Sequence, residues 1–229
     1  MKSKLIAVAA LTASLSAYAG TSHAMFAYSH SANLPTLELT YSDASTASVT
    51  ASFASWYRSD GLPGVGDNWI AGVCGSSDIC LGDNLSYRSA FVFSIPDASI
   101  LVTGAYIQSF VEDNPLPGYI STNPTGIYTL YEVSTDPSDL TNFVAGVGIY
   151  NDLGTGTAFG SQVFSAADNG TFVQINLNAA GLASINAASD LNWAVGGDFP
   201  SASNPVPEPG TWAMIAAGLG AASLLRRRS

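Results

Sequence analysis

Residues 87–95 read YRSAFVFSI, and large apolar side chains recur at every second position towards the end of this stretch. One face of the stretch carries Tyr87, Phe91, Phe93 and Ile95. A period of two residues is that of a β-strand, because successive side chains point to opposite faces of a sheet. The stretch therefore predicts a strand that buries one of its faces.

Residues 172–177, FVQINL, show the same pattern in a shorter strand. Val173, Ile175 and Leu177 share one face, opposite Gln174 and Asn176. Such alternation is typical of antiparallel sheets that have one face in a core and the other in solvent.

Turn signals such as Pro63-Gly64, Asn123-Pro124 and Asn169-Gly170 separate runs that are rich in β-branched and aromatic residues. These runs predict an all-β, antiparallel β-sandwich of jelly-roll-like type, with a barrel as the alternative. The predicted strands are Thr36–Tyr41, Ser48–Trp56, Tyr87–Ile95, Gly104–Glu112, Ile127–Val133, Phe143–Ile149, Phe159–Phe164, Phe172–Leu177 and Asn192–Val195.

One segment near the C-terminal end of this body differs from the strands. Residues 178–188 are rich in Ala, with Leu182 and Ile185 three positions apart, and Asn178 is a good N-cap. We expect one short helix here, packed on the edge of the sandwich.

The distribution of charge indicates that the two ends of the chain have separate roles. The 229 residues include 7 basic and 17 acidic side chains, for a net charge of −10. Lys2 and Lys4 lie at one end and Arg226–Arg228 at the other, so that only Arg58 and Arg88 lie between them. Nucleic-acid binding is not expected, because phosphate contacts require clustered cations.

The N-terminal end has the layout of a secretory signal peptide. Lys2 and Lys4 precede the uncharged run Leu5–Leu15, and small residues then precede candidate cleavage sites after Ala19 and after Ala24. We favour the second site, which assigns residues 1–24 to the signal peptide and makes the export machinery a partner. Export also places the chain in an oxidising compartment.

The C-terminal segment, residues 204–229, combines three features in a fixed order. Pro207-Glu208-Pro209 is followed by the uncharged, largely apolar run Trp212–Leu225 and then by Arg226, Arg227 and Arg228. The run has 14 residues, fewer than the roughly 17–25 of a stable spanning helix. It suits a short helix that an Arg membrane stop holds in the membrane briefly, rather than a permanent anchor.

This arrangement resembles the PEP-CTERM sorting signal of Gram-negative bacteria. The resemblance implies processing by exosortase, with the tail held briefly in the inner membrane before the protein reaches the cell surface or extracellular matrix. Many proteins of that family occur beside exopolysaccharide synthesis systems in biofilm formers. Residues 87–199 also look like the β-rich bodies common in the family, which carry no implied activity.

The two cysteines, Cys74 and Cys80, enclose a five-residue loop. In an oxidising compartment, and with no other cysteine to compete, we expect them to form a disulfide bond. A loop this short gives a modest entropic stabilisation, about 2 kcal/mol on the chain-entropy model.

The Gly-rich stretch around this loop is the predicted ligand surface. Trp56, Tyr57 and Trp69 offer aromatic faces that suit sugar rings, and Asp67 and Asn68 offer oxygens that suit calcium. The alternative is a Gly- and Asp-rich turn region whose tryptophans belong to the core. No other cofactor is expected.

The expected function of the body, residues 25–203, is non-enzymatic. Cleavage after Ala24 leaves a single histidine, His30, and the sequence has no Gly-x-Ser-x-Gly elbow. We expect a structural, adhesive or exopolysaccharide-associated role. The first alternative is a carbohydrate-binding, lectin-like module, and the second is a hydrolase that acts on matrix polysaccharide.

Overall fold

The computed structural model of the chain describes residues 26–29, 33–64, 67–73, 85–96, 100–113, 117–121, 123–188 and 191–199. Several predictions lie outside these residues, namely those for the signal peptide 1–24, for Cys74 and Cys80, and for the segment 204–229. The strands are β1 Phe26–Ser29, β2 Thr36–Tyr41, β3 Thr46–Thr50, β4 Phe53–Arg58, β5 Trp69–Val73, β6 Ser86–Ser94, β7 Val102–Phe110, β8 Thr125–Glu132, β9 Ala158–Ser165, β10 Phe172–Asn176 and β11 Asn192–Asp198.

The strands form two antiparallel sheets. The seven-stranded sheet has the order β1-β5-β6-β11-β8-β9, with β4 also paired to β6, and the four-stranded sheet has the order β10-β7-β2-β3. The chain alternates between the sheets from β6 to β8 and again from β9 to β11. The predicted antiparallel sandwich is thus confirmed, and this repeated crossing is its jelly-roll-like feature.

The core lies between the two sheets and is mostly apolar and aromatic. Phe91, Phe93 and Ile95 face it from the seven-stranded sheet, and Val173 and Ile175 face it from the four-stranded sheet. The alternation seen in the sequence therefore identifies the inward faces of β6 and β10 correctly.

A second apolar cluster covers the outer face of the seven-stranded sheet. Residues 136–153, here called the helical insertion, contain α1 (Pro137–Thr141) and α2 (Val147–Asp152). Leu140, Tyr150 and Leu153 of this insertion pack on residues of β4, β6 and β11.

The predicted strand Phe143–Ile149 is wrong, because the insertion occupies this part of the chain. The Asp136 carboxylate accepts a hydrogen bond from the Ser138 backbone N–H, and Pro137 occupies the first turn, so that α1 begins here. The β-branched and aromatic composition favours a strand, but packing against the sheet selects two short helices instead.

The predicted strand Ser48–Trp56 is two strands, β3 and β4, which belong to different sheets. Between them the backbone N–H of Ala51 donates to the Pro35 carbonyl, and that of Ser52 donates to the Val92 carbonyl. The chain changes its partner sheet at these two residues. The sequence analysis also did not identify β1 and β5.

The predicted helix near the end of the body is confirmed as α3, Ala179–Ala187. The Asn178 side chain accepts hydrogen bonds from the backbone N–H groups of Ala180 and Gly181. Ile185 is fully buried against the main core, so that α3 closes one edge of the sandwich.

The end of α1 provides a test of backbone strain. Phe143 has φ 55°, and the backbone N–H groups of Phe143 and Val144 donate to Leu140 and Asp139 in a Schellman arrangement. Its ring contacts that of Phe53 at 5.4 Å. Both Phe143→Gly and Phe143→Ala remove this contact, but only glycine relieves the left-handed conformation. We expect the glycine variant to be more stable than the alanine variant by about 1 kcal/mol in urea denaturation, and equal stabilities would contradict this interpretation.

Candidate functional site

The structure places two aromatic residues of the predicted ligand surface inside the protein. Trp69 is 1% exposed and packs in the main core against Phe91 and Tyr128. Tyr57 is fully buried in the cluster beneath the helical insertion. The prediction that these two residues offer surfaces for sugar stacking is therefore corrected. They lie on the strands β4 and β5 rather than on a loop, and they belong to the core.

The remaining residues of that predicted surface do not form one site. Trp56 is half-buried with its ring edge-to-face against Tyr87, and its indole lies directly against the Cα of Gly64, where no Cβ would fit. Asp67 is exposed and Asn68 is half-buried. Trp56 thus packs from β4 onto the turn residue Gly64, and the predicted polar residues lie just before β5.

Three buried polar atoms in this region have no hydrogen-bond partner among the described residues: Tyr57 Oη, Asn68 Oδ1 and Trp69 Nε1. Burial, and after it the Asp139 carboxylate, raise the pKa of Tyr57 to about 12. This phenol is therefore neutral at physiological pH, and its contribution is apolar packing.

A different surface gathers exposed polar side chains, namely the outer face of the four-stranded sheet. Leu37, Leu39 and Ile107 point inward, so that their neighbours along β2 and β7 point outward. The register aligns these outward residues in rows across all four strands. The first row is Thr50, Thr36, Gln108 and Gln174, and the second is Ser48, Glu38, Tyr106 and Asn176. We call these two rows, with the adjoining Thr46, Thr40, Phe110 and Phe172, the outer platform.

The outer platform is almost free of charge on a strongly acidic protein. All of its residues are half-buried or exposed, and Glu38 is the only ionisable carboxylate or cation among them. Glu38 Oε1 accepts a hydrogen bond of 2.6 Å from the Ser48 hydroxyl. The platform otherwise presents hydroxyl and amide groups, each able both to donate and to accept hydrogen bonds.

An aromatic pair lies at one end of the outer platform. Phe110 and Phe172 are cross-strand partners, and their ring centroids lie 5.2 Å apart with an interplanar angle of 61°. Phe172 is 60% exposed. The pair therefore gives the polar rows an apolar flank that is open to solvent.

The opposite outer face of the sandwich holds a largely buried ion pair rather than an open surface. Arg88 Nε donates to Asp198 Oδ2 at 2.9 Å, and Arg88 NH1 donates to the carbonyls of Tyr150 and Asn151 at 3.0 Å each. Burial raises the pKa of Asp198, and the charge and hydrogen bond of Arg88 offset part of that rise. Arg88 thus links β6 and β11 to the helical insertion.

Asp152 links the insertion to Ser134 and Thr135, the residues between β8 and α1. Its carboxylate accepts four hydrogen bonds, from the backbone N–H groups and hydroxyls of Ser134 and Thr135, at 2.7–2.9 Å. Partial burial alone would raise the pKa of Asp152, but these hydrogen bonds together lower it. The insertion is thus held by two sets of polar contacts, both at the C-terminal end of α2.

The described residues contain no group of three or more His, Cys, Asp or Glu side chains placed to hold a metal ion. His30 lies outside the part of the chain that the structure describes. No described helix combines the length and apolar character needed to cross a membrane.

Comparison with known proteins identifies the C-terminal end of the chain. A family model described as the PEP-CTERM protein-sorting motif matches residues 205–229. The match confirms the predicted resemblance: the chain carries a PEP-CTERM sorting signal, which implies export, a membrane-anchored sorting step and exosortase as the processing partner. No curated protein and no solved structure matches the chain.

Proposed function

We propose that the chain is a non-enzymatic protein of the cell surface or extracellular matrix, with a structural, adhesive or exopolysaccharide-associated role. The observation that supports this most directly is the sorting motif at residues 205–229, joined to a β-sandwich that exposes a polar face with a single carboxylate, Glu38. The sandwich supplies a stable module, and the motif supplies the route to the surface.

The chemistry of the tail fits a sorting signal that is removed during maturation. Pro207 and Pro209 lack backbone N–H groups and favour an extended segment, which suits a peptide entering a processing site. Arg226–Arg228 resist translocation and keep the preceding apolar run in the bilayer. The Pro-Glu-Pro motif would then be held at the outer face of the inner membrane.

Intact-mass spectrometry of the surface or extracellular protein tests this route. We expect a mature form that begins at Met25 and lacks Trp212–Ser229. Replacing Pro207-Glu208-Pro209 with alanines should leave a full-length form in the inner membrane, and deleting Arg226–Arg228 should let the chain pass through unprocessed.

The control is a conservative replacement of Arg226–Arg228 by three lysines, which keeps the charge and should preserve processing. A mature surface form that still carries Trp212–Ser229 would show that the tail is a plain anchor, and the sorting route would be wrong.

A further inference from the structure

Resting on the proposed function, we infer that the outer platform is a binding site for a neutral polysaccharide chain. The site is formed by two cross-strand rows of hydroxyl and amide side chains, with Glu38 as their one carboxylate, together with the half-buried Phe110 and the exposed Phe172. It lies on the sheet opposite the one that carries the helical insertion.

The hydrogen-bonding chemistry of the rows matches a polyhydroxyl ligand. Each sugar hydroxyl both donates and accepts, and the Gln108, Gln174 and Asn176 amides also do both. Neighbouring strands lie about 4.8 Å apart, so that four strands give a row of roughly 14 Å. A row of this length can contact several consecutive sugar units of one extended chain.

The aromatic pair supplies the second component of sugar recognition. The C–H face of a sugar ring is apolar and packs on an aromatic face, while its hydroxyls reach polar groups at the ring edge. Phe172 is a cross-strand partner of Phe110, and Gln174 of Gln108. A stacked sugar would therefore place its hydroxyls towards the first polar row.

The charge of the outer platform argues for a neutral polymer over other partners. Nucleic acid, anionic lipid and anionic polysaccharide all require cations, and the platform has none. The net charge of −10 repels polyanions further. A second copy of the chain is disfavoured as well, because stable protein interfaces have an apolar core and the polar rows do not provide one.

Native affinity electrophoresis of the full chain tests the site, with dextran, pullulan or hydroxyethylcellulose in the gel as neutral probes and alginate as the anionic probe. We expect at least one neutral polymer to retard the protein, and alginate to have no effect. Phe172→Ser should raise the dissociation constant about tenfold through loss of stacking. Gln174→Ala should raise it a few-fold through loss of a hydrogen bond.

Val163→Ser is the matched control, because Val163 is 50% exposed on β9 of the other sheet; its binding should equal that of the wild type. Circular dichroism establishes that each variant is folded. Three results overturn the assignment: no retardation by any neutral probe, preferential binding of alginate, or equal binding by the Phe172, Gln174 and Val163 variants.

The result is separable from that of the proposed function. A protein that reaches the surface and is processed, yet fails to bind, contradicts the platform assignment alone. A protein that binds but also releases reducing sugar from the polymer contradicts the non-enzymatic role and leaves the platform assignment intact.

Discussion

Replacing Arg88 with methionine is expected to destabilise the protein by about 3 kcal/mol at neutral pH, the range observed when one member of a buried ion pair is removed. Asp198 is 6% exposed, so that its carboxylate would lose its cation without gaining water. The carbonyls of Tyr150 and Asn151 would lose the Arg88 donor as well. Urea denaturation followed by tryptophan fluorescence measures the loss.

The loss of stability caused by Arg88→Met should become smaller on acidification. Burial already raises the pKa of Asp198, and removing Arg88 removes the two largest contributions that oppose this rise. A group whose folded-state pKa lies above its unfolded value favours folding once it is protonated. The Arg88→Met variant should therefore recover stability relative to the wild type as pH falls from neutrality through the raised pKa of Asp198.

Arg58→Met is the matched control. Arg58 pairs with Asp60, whose side chain is 45% exposed and remains hydrated when the cation is lost. We expect a loss below about 1 kcal/mol. Adding Asp198→Asn to Arg88→Met should recover much of the lost stability, because the uncompensated charge is gone. A pH-independent loss in the Arg88 variant would contradict the role of Asp198.

The alternating stretches were enough to predict the sandwich. A period of two fixes which side chains of β6 and β10 face the core, because a slip by one residue would move every apolar side chain into solvent. The insertion was not predictable in this way. Residues 143–149 are as β-branched and aromatic as a strand, and what selects helices is an apolar patch on another part of the chain.

The candidate site shows the same division between local and non-local information. The polar faces of single strands were visible, as in Gln174 and Asn176 opposite Val173 and Ile175. The alignment of these residues with Gln108 and Thr36 depends on strand pairing across more than 60 positions of sequence. The prediction of Tyr57 and Trp69 as ligand residues was incorrect for the converse reason. Their flanking Gly and Asp residues indicated a loop, whereas both belong to strands.

Gly196→Ala is expected to destabilise the protein by about 2–3 kcal/mol, in the upper range for overpacking. Gly196 lies on β11 with its Cα against the backbone of Leu153, at the end of α2. A Cβ at this position would meet the Leu153 Cα at 2.6 Å and its carbonyl carbon at 2.7 Å. Backbone atoms at the end of a packed helix cannot move aside singly, so that the helical insertion must shift away from the sheet.

A shift of the insertion should have a local signature that a general loss of stability would not. Amide hydrogen exchange should accelerate in α1 and α2, while β2 and β7 of the opposite sheet keep their protection relative to the global unfolding limit. Gly148→Ala is the control within the same insertion, because no atom outside its chain neighbours and the backbone of its own helix lies within 4 Å of the added Cβ. Since alanine has the higher helix propensity, this control should be neutral or gain about 0.5 kcal/mol. If Gly196→Ala and Gly148→Ala lost the same free energy of unfolding, the insertion would tolerate no change at all. Contact with Leu153 would then not be the cause of the destabilisation.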